Sequence, residues 1–237
     1  MAEWAAILPS TTNGTLSKSF LICPYEISTE SFQLLPENEL LSNFPLAMAY
    51  LEENKPRLIA REGGKFKNRK WYAFAYPKSM ILFQVPKIIV PDYNNIASFT
   101  FDEQGNFFKT GYGIVSDAVS QKYLLGLLNS RLLFSYLLSI GTSLRGGYVR
   151  FWTQFLEKLP IPSIDLSNKS DKAAHDRMVE LVDRTLDLHK RLHDANTPHE
   201  KELLQRQIVA TDSEIDGMVY ELYGLTEEER RIVEECS

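Results

Sequence analysis

Apolar positions change their spacing along the chain, and the changes mark out its elements. Residues 1 to 44 are rich in Ser, Thr, Asn and Pro, with short apolar patches such as Phe20-Leu21-Ile22 and no clean period. They predict an irregular lead-in with one short strand. From Pro45, the positions Leu46, Ala49, Tyr50, Leu51 and Leu58 predict a helix of about two to four turns that starts with proline at its first position, where no N–H is needed. Arg61 to Lys70 is basic, contains Gly63-Gly64, and reads as a mobile loop. Short runs of β-branched and aromatic residues follow, punctuated by Pro and Gly: Trp71 to Tyr76, Lys87 to Val90, Ser98 to Asp102, Asn106 to Lys109 and Tyr112 to Val115. They predict strands, with Phe101 to Phe107 as a hairpin in which Gly105 supplies the left-handed turn residue. Helix is expected from about Asp117 to Ile140, ending at Gly141, and Gly146-Gly147 falls in a loop between Arg145 and Arg150.

Leu159-Pro160-Ile161-Pro162 is expected to be extended, because proline cannot continue a helix and disfavours it in the preceding residue. Beyond it the period becomes helical. Met178, Leu181, Thr185, Leu188 and Leu192 recur at alternating three and four, as do Leu204, Ile208, Thr211, Ile215, Met218 and Leu222, which predicts two helices joined by a seam. Between them, Thr197 is placed to cap, Pro198 to open the second helix and Glu200 to close a capping box; Thr226 and Glu229 repeat the box before a last short helix. The predicted fold is α+β: a small mixed α/β domain with short strands over 45–163, after the lead-in at 1–44, then a C-terminal antiparallel helical hairpin over 170–237.

A chain of 237 residues with 44% hydrophobic content can bury a substantial core. No run approaches the roughly 18 uninterrupted apolar residues of a membrane span. The richest stretch, Tyr123 to Ile140, is interrupted by Gly126, Asn129, Ser130, Arg131, Ser135 and Ser139. The first residues lack a basic leader ahead of an apolar core, so no secretion signal is expected. Cys23 and Cys236, far apart and without a spacing motif, predict neither disulfide nor zinc site and suit a reducing, cytoplasmic setting.

Charge sharpens the picture. The net value is -5, yet residues 55 to 109 hold Lys55, Arg57, Arg61, Lys65, Lys67, Arg69, Lys70, Lys78, Lys87 and Lys109 against only Glu62, Asp92, Asp102 and Glu103. Residues 171 to 237 are strongly acidic and poorly suited to lying along DNA. Phe66, Trp71, Tyr72, Phe74 and Tyr76 interleave the basic block, a composition that grips a phosphate backbone and touches bases. The same charges also suit a merely solvated face.

The order of several segments narrows this choice. Trp71-Tyr72-Ala73-Phe74, Pro86-Lys87-Ile88-Ile89-Val90-Pro91, Phe99 to Phe108, Lys122 to Leu132, Arg145 to Phe151 and Glu157 to Pro162 follow one another, then Ile215 to Thr226 close the helical tail. In this order they resemble the TaqI-like C-terminal specificity domain of adenine-specific DNA methyltransferases and type IIG restriction-modification enzymes, over about residues 45 to 232. The resemblance implies a target-recognition module for double-stranded DNA, with a methyltransferase domain in cis or on a separate subunit and no membrane partner. Arg57, Arg61, Lys65, Lys67, Arg69 and Lys70 become the first candidate DNA contacts, with Arg145 and Arg150 second. Trp71, Phe101, Phe107 and Phe151 are favoured as core over base-stacking residues.

Catalytic motifs are not found in this sequence. Adenine methylation needs a Gly-rich S-adenosylmethionine loop and an Asn-Pro-Pro-Tyr-type motif for an extruded base. Pro91-Asp92 followed by Glu103-Gln104-Gly105 mimics half of a nuclease metal motif, with Gly105 where the lysine belongs. His189 and His193 share a helix face without a third ligand, and His175 and His199 stand apart, so exposed histidines are favoured over a metal site. No cofactor is therefore expected in this chain; S-adenosylmethionine and Mg are expected for catalytic domains upstream of it. Two alternatives stay open at this point: a type I-like specificity subunit with one recognition domain, and a protein interaction module built on the helical hairpin.

Overall fold

The computed structural model describes residues 6–12, 15–108 and 111–236. It divides into two compact units: Met1–Pro86 with Glu103–Lys109, and Lys87–Asp102 with Thr110–Ser237.

The first unit opens with β1 (Ala6–Thr12) and β2 (Thr15–Leu21), paired antiparallel with Ala6 opposite Leu21 and Thr12 opposite Thr15. A smaller antiparallel ribbon joins β3 (Tyr25–Ile27) to β4 (Phe32–Leu34). Helices α1 (Glu37–Asn43), α2 (Pro45–Glu53) and α3 (Lys55–Ile59) follow, then the kinked turn α4 (Arg61–Gly64) and the short α5 (Met80–Phe83). The expected lead-in is thus mostly ribbon and helix over its described part. Its strands carry no sequence signal of their own because they pair only locally and show no long period.

Pro45 does open α2, but the buried side chains are Met48 and Leu51, while Leu46 and Tyr50 are exposed. Trp71 to Tyr76, expected as a strand, runs through turns and bends, with Trp71, Tyr72 and Ala73 buried. Those side chains fill two small cores: Leu35, Leu40, Met48, Leu51, Trp71 and Tyr72 form one, and Cys23, Tyr25, Ala73 and Met80 the other. Burial raises the Cys23 thiol pKa, which keeps it protonated and inert.

In the second unit the elements run β5 (Lys87–Val90), β6 (Tyr93–Asn94), β7 (Thr100–Asp102), β8 (Tyr112–Ile114), α6 (Gln121–Asn129), α7 (Arg131–Ile140), β9 (Val149–Arg150), α8 (Thr153–Leu156), α9 (Lys169–Asp194), α10 (Pro198–Leu222) and α11 (Glu227–Cys236). β5 is central, antiparallel to both β7 and β8, and β6 pairs with β9. This confirms the α+β class, a mixed part with short strands ahead of a helical hairpin.

The hairpin expected around Gly105 does not form, because β7 pairs with β5 and Asn106 to Phe108 carry no regular structure; Lys109 lies outside the described residues. Gly105 is left-handed, at φ +73°, for a different reason: a Cβ there would lie 2.6 Å from the Gln84 backbone, so only glycine permits that approach. Asp102 sits on the sheet opposite Lys87, not in a turn.

The single helix expected to Ile140 is broken in two, bent by 66°. The break has a local cause: Ser130 Oγ caps α7 by accepting from Leu133 N, while the Asn129 amide leaves the helix to bond both Phe99 N and Phe99 O at 3.0 Å. No single helix among the described residues is long and apolar enough to cross a membrane, and the bent pair α6 and α7, which has the composition for it, buries Tyr123 to Leu128, Leu133, Phe134 and Leu137.

The long hairpin follows its seam. Met178, Leu181, Val182 and Leu188 of α9 are buried, as are Leu204, Ile208, Thr211 and Ile215 of α10; beyond Ile215 burial passes to Val219 and Tyr220 and leaves Leu222 exposed. Gly126 lets α6 lie against α9, since a Cβ there would fall 2.5 Å from Met178 Sδ and 3.0 Å from Val182. Thr197 caps α10, its Oγ1 accepting from Glu200 N without a return bond from the Glu200 carboxylate, whereas Thr226 and Glu229 bond reciprocally in a full capping box. Leu188→Ala and Ile215→Ala are each expected to cost about 2–4 kcal/mol of stability. Urea unfolding checks this, and unchanged midpoints in both variants would show the seam to be wrongly drawn.

Asp216 ties the hairpin to α7, accepting from Arg131 N at 2.8 Å and pairing with its guanidinium at 3.2 Å. Burial, the largest influence, raises its pKa above the ordinary carboxylate value of 3.8. A raised folded-state value means that the carboxyl adds stability when protonated, and that this contribution is lost as pH rises through the folded value. Asp216→Asn keeps an acceptor for the N–H. Its thermal midpoint relative to the parent should therefore be highest at neutral pH and fall as pH drops through the raised value toward 3.8; a difference that does not vary with pH would refute this.

Candidate nucleic-acid interface

The basic block, expected as a mobile loop, contains a hydrogen-bonded turn. α4 leaves helical geometry at Glu62 (φ 50°) and Gly63 (φ 67°), and Gly64 is left-handed as well. Three consecutive residues of this kind reverse the chain tightly, which explains the glycine pair. Arg61 holds the turn closed: its guanidinium donates to the carbonyls of Leu58 (2.8 Å), Trp71 (2.8 Å) and Ala73 (3.0 Å) and lies 4.5 Å above the Phe66 ring. Asn68 braces the far side, donating to Lys65 O at 2.9 Å and accepting from Lys70 N at 2.7 Å. Tyr76 donates to Glu62 at 2.9 Å, which ties down the one acid of the turn and raises the phenol pKa. Beneath, Tyr72 donates to Leu35 O and Tyr25 accepts from Phe74 N.

This scaffold sorts the first candidates. Arg57, Lys65, Lys67, Arg69 and Lys70 are exposed, and none makes an ion pair among the described residues. Arg61 is partly buried and its guanidinium is committed to the backbone. Lys55 pairs with Glu52 at 3.0 Å and lies over Trp71. Within this unit the structure therefore gathers four unpaired cations, Lys65, Lys67, Arg69 and Lys70, onto one braced turn, with Arg57 on the preceding α3. Such fixed positive charge suits a phosphate backbone.

The second-rank candidates belong to the other unit. Arg145 is exposed beside Gly146 and Gly147, both left-handed. Arg150 is half-buried, paired with Asp92 at 3.1 Å and stacked over Trp152. Asp92, the acid that mimicked a nuclease motif, is thereby occupied. Among the described residues no cluster of three metal-ligating side chains exists, and His189 and His193 are exposed. Trp71 and Phe151 are buried and Phe101 and Phe107 pack against the cores, as favoured.

The braces escaped sequence reading because their partners are distant: Arg61 reaches Trp71 and Ala73, and Tyr25 reaches Phe74. Only Asn68, one residue before a basic pair in a Gly-containing segment, carried a local signal for an Asx-type turn.

A short-stranded α/β part with a braced basic turn, followed by a helical arm, defines a specificity module of the kind carried by type II methyltransferases and restriction enzymes. The chain belongs to the TaqI-like C-terminal specificity domain family, whose model matches residues 25–161, more than half of its length. It is 26% identical over 197 residues to the type II methyltransferase M.XhoI of Xanthomonas vasicola, covering 81% of this chain and 30% of that protein. Type II methyltransferase M.PaeR7I of Pseudomonas aeruginosa is 24% identical, over 80% of this chain and 28% of the relative. The type II restriction enzyme and methyltransferase RM.Eco57I of Escherichia coli is 22% identical, over 87% and 22%. The chain thus spans less than a third of the length of these relatives.

Proposed function

We propose that this chain is the target-recognition portion of a type IIG-like restriction-modification protein, acting in the cytoplasm on double-stranded DNA. Adenine methylation and cleavage belong to domains carried elsewhere, in cis or on a separate subunit, and S-adenosylmethionine and Mg to those domains. In this reading residues 45–163 recognise the target and 170–237 serve as spacer and docking arm. One observation carries it: Lys65, Lys67, Arg69 and Lys70 stand exposed and unpaired on a turn held by Arg61 and Asn68, inside the segment that matches the specificity family. Cations on such a turn can enter the major groove, where Arg and Lys pair with guanine, while neighbours touch phosphate. Arg145 and Arg150 are secondary contacts, and Arg61 acts chiefly by shaping the turn.

The test is duplex binding as a function of salt, followed by selection from random duplexes. With about five phosphates neutralised, log affinity should fall against log salt with a slope of about -4 to -5. A flat response between about 50 and 200 mM salt would remove the proposal, as would a selection that returns no preferred sequence once the upstream domains are restored.

A further inference from the structure

Beside the basic turn, and wholly within the first unit, lies a cleft of about 330 Å³ lined by Tyr25, Phe32, Leu34, Phe66, Asn68, Lys70, Ala73, Phe74 and Pro77. Four of these are aromatic. Tyr25 is buried, and its ring meets Phe32 edge-on at 5.9 Å and Phe74 at 5.2 Å and 45°. Phe32, Phe66 and Phe74 are half-buried, as side chains lining a recess are. The cleft is within the size range of small-molecule sites, which begins at about 300 Å³. The polar members differ in availability. Asn68 braces the turn, and the Tyr25 hydroxyl already accepts from Phe74 N, but Lys70 is exposed and makes no ion pair among the described residues, with Lys65, Lys67 and Arg69 on the same turn.

Aromatic walls with a fixed cation at the mouth and no acid in the lining select a ligand that is flat, apolar on its faces and anionic at one end. We propose that this cleft receives a nucleobase displaced from the DNA duplex, stacked among Phe32, Phe66 and Phe74 with its phosphate on Lys70. The site would add to phosphate grip a term that acts only where a base has left the helix. Displacement costs a few kcal/mol in a matched duplex and least where a base is already unpaired, so an unpaired base exposes the term directly. This inference rests on the DNA-binding reading above.

The full chain is titrated against a duplex, the same duplex carrying one extra adenine bulged at its centre, and the corresponding single strand, all at one salt concentration. The bulged duplex is expected to bind about tenfold tighter than the paired one, the scale of one base–aromatic stack. Phe74→Leu, which keeps apolar volume but removes the ring, should bring that ratio close to one while leaving paired-duplex affinity within about twofold; Phe32→Leu serves as the second variant should Phe74→Leu unfold. Equal binding of bulged and paired duplexes by the parent chain, with steep salt dependence retained, overturns the base pocket and leaves the recognition reading standing. A bulge preference that survives both variants overturns the pocket too. Single strand binding as tightly as the bulged duplex, with the same loss in the variants, overturns assignment to a duplex-displaced base. Absence of paired-duplex binding at low salt removes the recognition reading itself.

Discussion

Replacing Lys65, Lys67, Arg69 and Lys70 together by alanine should lower duplex affinity by about three orders of magnitude at 0.1 M salt and reduce the salt slope by about three to four units. The size follows from counterion release, in which each neutralised phosphate contributes about 0.9 to the slope. Because all four residues are exposed and make no ion pair among the described residues, the variant should keep its thermal midpoint. Single replacements divide the group further. A residue that reads a base costs about 1–3 kcal/mol on the preferred site and little elsewhere, whereas a phosphate contact weakens all sequences alike. Arg61→Ala should behave differently, losing about 2–3 kcal/mol of stability as three backbone carbonyls lose a charged donor. If the quadruple variant binds like the parent, the turn is a solvated face and not an interface.

The second large effect concerns Lys87, which is 1% exposed and pairs with Asp102 at 2.5 Å across neighbouring strands. Lys87→Met leaves a buried carboxylate without its ammonium, and such breakage costs about 3–5 kcal/mol. Converting both residues, Lys87→Met with Asp102→Leu, removes both charges and should recover most of the loss, since a buried pair contributes little over well-packed apolar side chains. Chemical unfolding of the two variants and the parent decides this. A Lys87→Met protein as stable as the parent would show the pair to be dispensable. Lys87, expected in a strand, does lie in β5, and its burial against Asp102 gives it a structural role.

Sequence by itself determined what local chemistry can encode. Pro45 opening α2, the cap at Thr197, the capping box at Thr226 and the seam through Leu188 and Ile215 each depend on residues within a few positions of one another, and local pattern reports them directly, whereas the Leu159 to Pro162 segment, expected as extended, turns at Pro160 with Ile161 N donating to Leu159 O. The concentration of positive charge in residues 55 to 109, and the order of segments resembling the specificity family, were likewise legible. Tertiary structure decided the rest. The strand expected at Trp71 to Tyr76 is a bend because burying Trp71, Tyr72 and Ala73 on two small cores satisfies those side chains better than a sheet edge would. β7 pairs with β5 and not with the expected hairpin partner, in a register that sets Phe101 opposite the fully buried Ile88 and Asp102 opposite Lys87. Arg61 left the set of freely presented cations when Leu58, Trp71 and Ala73 converged on it, and Tyr25, Phe32 and Phe74, drawn from positions up to about fifty apart, became one cleft. These are contacts between residues remote in the chain, whose strength depends on burial and mutual geometry, quantities that exist only once the backbone has brought the partners together.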